Sequence, residues 1–450
     1  MGAERIFMLE QLNGYIWNAG LLTLLLGTGI LLTLRTGFFQ VRGMGYILKR
    51  IFDSLRNGQE KDGVSQWKIC TAALSASMGT GNIVGVTAAL SIGGAGAVFW
   101  MWCSAFFGMM LTYGENVLSM HFRRTEKTEN SPGGPMAYLQ YGLGSKGLAG
   151  LYAILCIFAS FGMGCMTQSS AAASALEDAF SVPPFVTGLL LAGFLAVSVL
   201  GGIRSVGAVT QYLLPFAAAG YMLLALIVTV LHAERIPAAF GEIFSGAFGV
   251  RQMGGGAAGA AISAGLRHGV FSNEAGLGSS ALIHSNTSDD DRYLQGLWSI
   301  FEVFLDTMVC CSLTALAVLT ADAPLEMGVH PVAEAFSTVL GDVSYGVTAV
   351  MIVLFAVCTM LGWCCCGEAA VRSLHMRHNA IFMYRGLFCF AGGMGAMGAL
   401  SSVWTLSDIA NGLMAVPNLL GLLLLMKNIQ TPPGWKRRTR ENVERYAKNA

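Results

Sequence analysis

Two runs of small and hydroxyl-bearing residues interrupt otherwise apolar sequence: Ser75-Ala-Ser-Met-Gly-Thr-Gly-Asn-Ile83 and Gly269-Val-Phe-Ser-Asn-Glu-Ala-Gly-Leu-Gly-Ser279. Each glycine costs a helix about 1 kcal/mol relative to alanine. Ser, Thr and Asn side chains compete for the hydrogen bonds of their own backbone. Either run alone also reads as packing glycines in an ordinary helix. Together, at corresponding places in the chain, they read as two helix breaks. A break at membrane depth is tolerated only where protein or a wet cavity satisfies the freed backbone. Its half-helix N-terminus offers partial positive charge and N–H groups to a carboxylate. Its carbonyls and hydroxyls suit a small hard cation. The chemistry expected is binding of a carboxylate together with a cation.

Lipid is the environment that positions these runs. Only 12% of the 450 residues are charged and 54% are hydrophobic, with a mean hydropathy of +0.58; soluble domains carry roughly 25% charged residues. Apolar segments of spanning length, about 20 residues, fall near 14–34, 70–93, 97–121, 147–174, 184–203, 208–231, 256–283, 293–320, 345–371, 380–399 and 405–427. Many of the 57 glycines lie in them, and small residues let helices approach closely in lipid. The reading is an all-α integral membrane protein of about eleven transmembrane helices, one domain over 1–450. Setting aside an extra N-terminal helix (14–34), the breaks fall in the first and sixth of the remaining ten. That places a first five-helix repeat at 70–231 and an inverted second at 256–427, ahead of a tail at 428–450. The stretch 321–344 is too polar to span and reads as an outer loop with a short helix around Pro331 to Leu340.

Lys and Arg set the orientation. The 35–68 loop is basic, as are Arg123, Arg124 and Lys127, then Arg372, Arg377 and Arg385, and the tail; the stretches 93–98, 175–186, 321–344 and 397–408 contain neither residue. The C-terminus is therefore expected in the cytoplasm and the N-terminus outside. The N-terminal apolar run lacks the flanks of a signal peptide and reads as a retained helix. A net charge of +1 without a basic stripe gives no support for nucleic-acid binding. The eleven cysteines read as small packing residues, because adjacent Cys364, Cys365 and Cys366 point to different helix faces and cannot share one zinc. No HExxH, GxSxG or paired His–carboxylate constellation supports an enzyme, and neither a cofactor nor an obligate protein partner is expected. An ion channel would need a continuous polar pore, which an asymmetric pair of breaks does not provide.

Several motifs then make the chain recognisable. Thr80-Gly-Asn-Ile83 and Phe271-Ser-Asn-Glu-Ala-Gly-Leu-Gly-Ser279 are joined, in order, by Pro132-Gly-Gly-Pro135, Gly201-Gly-Ile-Arg204, Asp306-Thr307, Leu361-Gly-Trp363 with Gly367-Glu368, and Leu413-Met-Ala-Val-Pro-Asn418. Over nearly its whole length the sequence resembles the alanine/glycine:cation symporter family, known from sodium:alanine symporters. The resemblance implies the leucine-transporter fold. It also implies symport of a small neutral amino acid such as alanine or glycine with sodium (Na+), less often protons, across the inner (plasma) membrane. Glutamine or serine is the alternative substrate. By position, Thr80, Gly81 and Asn82 would face the substrate carboxylate, with Ser272 and Asn273 on the opposite wall and Gln168 hydrogen-bonding the substrate. Phe271 and Trp363 would restrict the pocket to small side chains. Oxygens of Ser77, Gly79 and Thr359 would hold the cation and tie the first broken helix to the eighth core helix. The chain departs from the family at Cys165, Ser170 and Cys358, where Asn, Asn and Ser are common. Thiol sulfur is a poor ligand for a hard cation.

The membrane-embedded ionisable residues have two readings each. Intramembrane charge costs roughly 2.5–3.5 kcal/mol at a helix centre and is usually functional. Asp306 is either a cation or coupling site or a structural hydrogen-bonding group. Glu302, one turn earlier, either shares that site or caps toward the cytoplasm. Glu274 either holds the second break open or binds cation. Arg267 is expected in a salt bridge across the bundle or in a gate. Glu115 and Glu368 are expected to pair with basic loops, and His121, His284, His375 and His378 to lie at the interface. Trp100, Trp102 and Trp404 are expected in an aromatic belt.

Overall fold

A computed structural model describes residues 2–17, 19–57, 65–123, 133–248, 257–287, 289–375, 378–398 and 401–435. The described residues of the eleven segments expected to span are largely helical. Helix α1 (Gly2–Ile16) and α2 (Ala19–Arg35) precede α3 (Met44–Asn57). The first interrupted segment is α4 (Gln66–Ser77), a tight turn at Thr80–Asn82, and α5 (Val84–Gly93). There follow α6 (Gly96–Phe122), α7 (Lys146–Phe161), α8 (Thr167–Phe180), α9 (Pro184–Val199), α10 (Ile203–Leu231) and α11 (Ile236–Phe248). The second interrupted segment is α12 (Ala257–Asn273) and α13 (Ser279–His284). Then come α14 (Arg292–Val303), α15 (Ser312–Thr320), α16 (His330–Leu340), α17 (Ser344–Ser373), α18 (His378–Ala396) and α19 (Ser401–Leu424). Among the described residues, six helices are long and apolar enough to cross a membrane, or seven counting the bent pair α4–α5 as one span. The short helix expected around Pro331 to Leu340 is α16. The basic residues of the tail beyond Trp435 lie outside the described residues, as do Arg124, Lys127 and Arg377.

Both breaks are present. Helices α4 and α5 meet at 55°. Met78 leaves the helix with ψ of 91°, and Gly79 is extended with φ −136° and ψ −154°. In the second break Glu274, Gly276 and Gly278 take φ of 55°, 90° and 83°, a region that L-residues other than glycine enter only at a cost. Helix α12 packs along α6 and α5, α14 packs along α6, and α8 lies on α17. The two breaks thus face each other inside a cage of long helices.

Three elements were not foreseen. Helix α3 lies in the basic loop expected between the first two spans; Ile47 and Ile51 are buried while Lys49 is exposed. It is too polar to span, and its two-faced pattern suits the membrane surface. Helix α11 is similarly outside the spanning set, whereas the end of α1 joins α2 in a spanning candidate from Gln11 to Arg35. Two long helices also contain wide turns with five-residue hydrogen bonding, at Gly162–Met166 and Phe304–Cys311. Such turns recur at functional sites, and these two flank Gln168 and contain Asp306.

Candidate functional site

Asp306 sits where the breaks meet. Its carboxylate is fully buried. Asn82 of the first break donates its amide to Oδ1 at 2.7 Å, and Ser272 of the second break donates its hydroxyl to Oδ2 at 2.7 Å. Thr307 donates to Oδ2 at 2.7 Å and accepts the Asn273 amide at 3.1 Å. The wide turn at Phe304–Cys311 lets Asp306 and the neighbouring Thr307 both reach this cluster. Every hydrogen-bonding partner of the Asp306 side chain among the described residues is neutral. A buried carboxylate of this kind needs a cation or a proton to balance it.

The first break is held from the other side by Gln168. Its Oε1 accepts from the Thr80 hydroxyl at 2.8 Å and from the Thr80 amide at 3.3 Å, and its Nε2 donates to the Met163 carbonyl at 3.2 Å in the first wide turn. Asn82 closes the loop on itself, accepting the Gly79 amide at 3.0 Å, while Thr314 donates to the Asn82 carbonyl at 2.9 Å. Gly81 faces Phe271: a Cβ there would lie 3.4 Å from Phe271 Cδ1. Gly79 faces α17: a Cβ there would lie 2.2 Å from Thr359 Oγ1. Thr359 itself donates to the Met78 carbonyl at 3.4 Å.

The expected cation residues therefore fall in two places. Gly79 and Thr359 meet at the contact between the first break and α17. Ser77 lies two residues before Gly79, and its hydroxyl donates back to the Leu74 carbonyl at 3.2 Å. Asp306 belongs to the other cluster and reaches Gly79 through Asn82. Cys358 and Cys165 are buried, the latter donating its thiol to the Phe388 carbonyl at 3.3 Å, and Ser170 is half-buried.

The second break has its own scaffold. Trp363 donates Nε1–H to Glu274 Oε1 at 2.6 Å, and Ser279 donates to Glu274 Oε2. Glu274 thus holds the break through side-chain donors. Asn418 donates to the Gly276 carbonyl at 2.7 Å and to Glu115 Oε1 at 2.6 Å, and Tyr152 donates to the Leu277 carbonyl at 2.7 Å. Glu115 is consequently a buried support of this break and not the partner of a basic loop. Arg267 bonds Asp408 across the bundle, where Asn13 also donates at 2.7 Å. Glu368 pairs with Arg372 at 2.5 Å and Arg385 at 2.7 Å. Glu302 turns away from Asp306 to His284, which is fully buried and not interfacial. Trp102 donates to Ser312 at 2.7 Å; the Trp404 side chain lies outside the described set.

The model of the sodium:alanine symporter family matches residues 4–445. The chain belongs to that family. A sodium/alanine symporter of Methanococcus maripaludis is 39% identical over 93% of this chain and 94% of its own. A Bacillus subtilis relative named for sodium/glutamine symport is 33% identical over 93% of this chain and 88% of its own. Among solved structures, a manganese transporter of Eremococcus coleocola superposes with a TM-score of 0.50 at 14% identity, covering 81% of this chain and 78% of that one. The likeness carries the fold alone, and that fold is the leucine-transporter arrangement that the family resemblance implied. The symporter family is one of membrane transporters, not enzymes.

The sequence singled out Asp306 and the residues of both breaks, but not Cys311 or Thr314. Cys311 Sγ lies 3.2 Å from the Ser272 hydroxyl and 3.5 Å from the Asn82 amide. The only sequence signal for either is its place one or two helical turns after Asp306.

Proposed function

We propose that this member of the symporter family moves a small neutral amino acid, alanine or glycine, together with sodium by alternating access. The observation that carries the reading is the Asp306 cluster. One buried carboxylate without a basic partner among the described residues touches both helix breaks, so a cation that balances it acts on both at once. Hard oxygens are on hand in the carboxylate and in the hydroxyls of Ser272 and Thr307, and separately at Thr359 and the Met78 carbonyl, which fits sodium. The Thr80–Asn82 turn and Ser272–Asn273 would bind the amino acid between them, with Gln168 ordering the turn. The Phe271 ring against Gly81 favours a substrate with a small side chain, although a relative is named for glutamine. Coupling follows if sodium binds one conformation better than the other, because a ligand shifts an equilibrium only by its differential affinity. Helices α4–α5 and α12–α13 would then rock against the surrounding helices and release both ligands inside. The Lys and Arg of the loops and tail support a cytoplasmic C-terminus and an outside N-terminus.

Thermal unfolding of the purified protein tests the binding step. Alanine or glycine is expected to raise the midpoint in sodium and to leave it unchanged in potassium. A rise with glutamine alone would move the substrate, and an equal rise in both salts would remove sodium from the site.

A further inference from the structure

A second buried polar cluster lies away from the Asp306 site. His284 closes α13. Its Nε2 is 2.8 Å from Glu302 Oε1 and its Nδ1 is 2.7 Å from Gln295 Oε1. An imidazole with an acceptor at each nitrogen is fully satisfied only when both nitrogens carry protons. Gln295 cannot turn its amide alone, because it is locked in a reciprocal pair. Its Nε2 donates to Gln66 Oε1 at 3.0 Å, and Gln66 Nε2 donates back to Gln295 Oε1 at 3.0 Å. Thr287 donates to the same Gln66 oxygen at 3.3 Å, and Ser280 donates to Glu302 Oε2 at 3.0 Å.

The cluster joins three elements. Gln66 is in the first turn of α4, Ser280 and His284 are on α13, and Gln295 and Glu302 are on α14. Helices α4 and α13 are the same-end pieces of the two interrupted segments. We propose that His284 is a proton-binding site that latches these two pieces to α14, and that loss of its proton lets them part. With the proton, the imidazolium faces one carboxylate and one carbonyl oxygen, and all three elements are held. Without it, the one remaining ring proton serves either Glu302 or Gln295, and the bare nitrogen faces the oxygen of the other, an arrangement a buried site tolerates poorly. The titratable groups facing the pair are Glu302 on α14 and Cys70 on α4. Helix α6 presents Asn116, which donates to Ser280 at 3.2 Å, next to Glu115. The pairs Arg123–Asp290 and Arg50–Asp291 lie beyond, in the loop after α13. The consequence for transport, faster opening at this end as pH rises, rests on the symport reading; the latch itself does not.

Cys70 reports the latch directly. It is buried, and Gln66 Nε2 lies 3.1 Å from its sulfur. The full-length protein in lipid vesicles would be treated with iodoacetamide between about pH 6 and pH 8.5, a range bracketing the ordinary histidine value. Peptide-resolved mass spectrometry would give the Cys70 rate relative to the half-buried Cys103, which corrects for the reagent's own preference for thiolate. The ratio is expected to rise several-fold with pH in the native protein and to be flat and high in His284→Gln and in Glu302→Gln. A flat ratio in the native protein, or an unchanged pH response in either variant, would overturn the latch. Sodium-driven uptake by the native protein separates the two readings. Intact uptake with a flat ratio sinks the latch alone, and a pH-dependent ratio without uptake sinks the symport reading alone.

Discussion

Asn82 and Asp306 are 224 residues apart and their side chains share a hydrogen bond of 2.7 Å in the buried centre of the molecule. The amide that donates to Asp306 belongs to the side chain whose oxygen accepts from Gly79, so the turn of the first break and the carboxylate are one unit. Ser272 completes it from the second break.

Replacing the carboxylate tests that unit. Asp306→Asn keeps the size but removes the charge and two strong acceptor interactions. Hydrogen bonds to charged groups are worth about 1.5–3 kcal/mol, and about 1.4 kcal/mol is tenfold. Sodium-stimulated alanine uptake is expected to fall by more than about tenfold, read as initial rates at saturating alanine across a sodium series.

Gly79→Ala places a methyl group 2.2 Å from Thr359 Oγ1. Overpacking of this kind costs about 1–3 kcal/mol. The variant is expected to unfold at lower temperature and to lose uptake. Adding Thr359→Ala should recover most of the melting temperature, since Oγ1 is gone and only the tighter contacts to the residue 359 Cβ and Gln168 Oε1 remain, without recovering sodium dependence. Recovery of both would remove Thr359 from the cation site.

Trp363→Phe deletes the donor to Glu274 and leaves most of the ring volume. A buried acceptor left short of a partner costs about 1–3 kcal/mol. The melting temperature should drop, and Glu274→Gln, which removes the charge needing that donor, should lessen the drop in the double variant. An additive pair would show that the two side chains are not coupled.

The breaks could be read because two clustered runs of glycine and hydroxyl residues fall at corresponding places in the chain, where either alone would read as helix packing. Their partners could not be read with equal ease. Asp306 stood out as an intramembrane charge, yet its choice of Asn82 and Ser272 depends on a wide helical turn that has no residue signature. Glu115 and His284 were misplaced for a related reason. Each lies near the end of an apolar segment, where basic loops or water are the ordinary partners. The interior they actually meet is created by the second break and by α14 folding over it. Helix α3 escaped notice because a helix on the membrane surface is neither long nor apolar enough to count as a span.

Uptake of labelled alanine into proteoliposomes, with an inward sodium gradient and with the gradient replaced by potassium, tests the central claim most directly. Accumulation above the outside concentration is expected with sodium and only equilibration with potassium. Equal accumulation in both, or none in either, would contradict a sodium-coupled site at the meeting point of the two breaks.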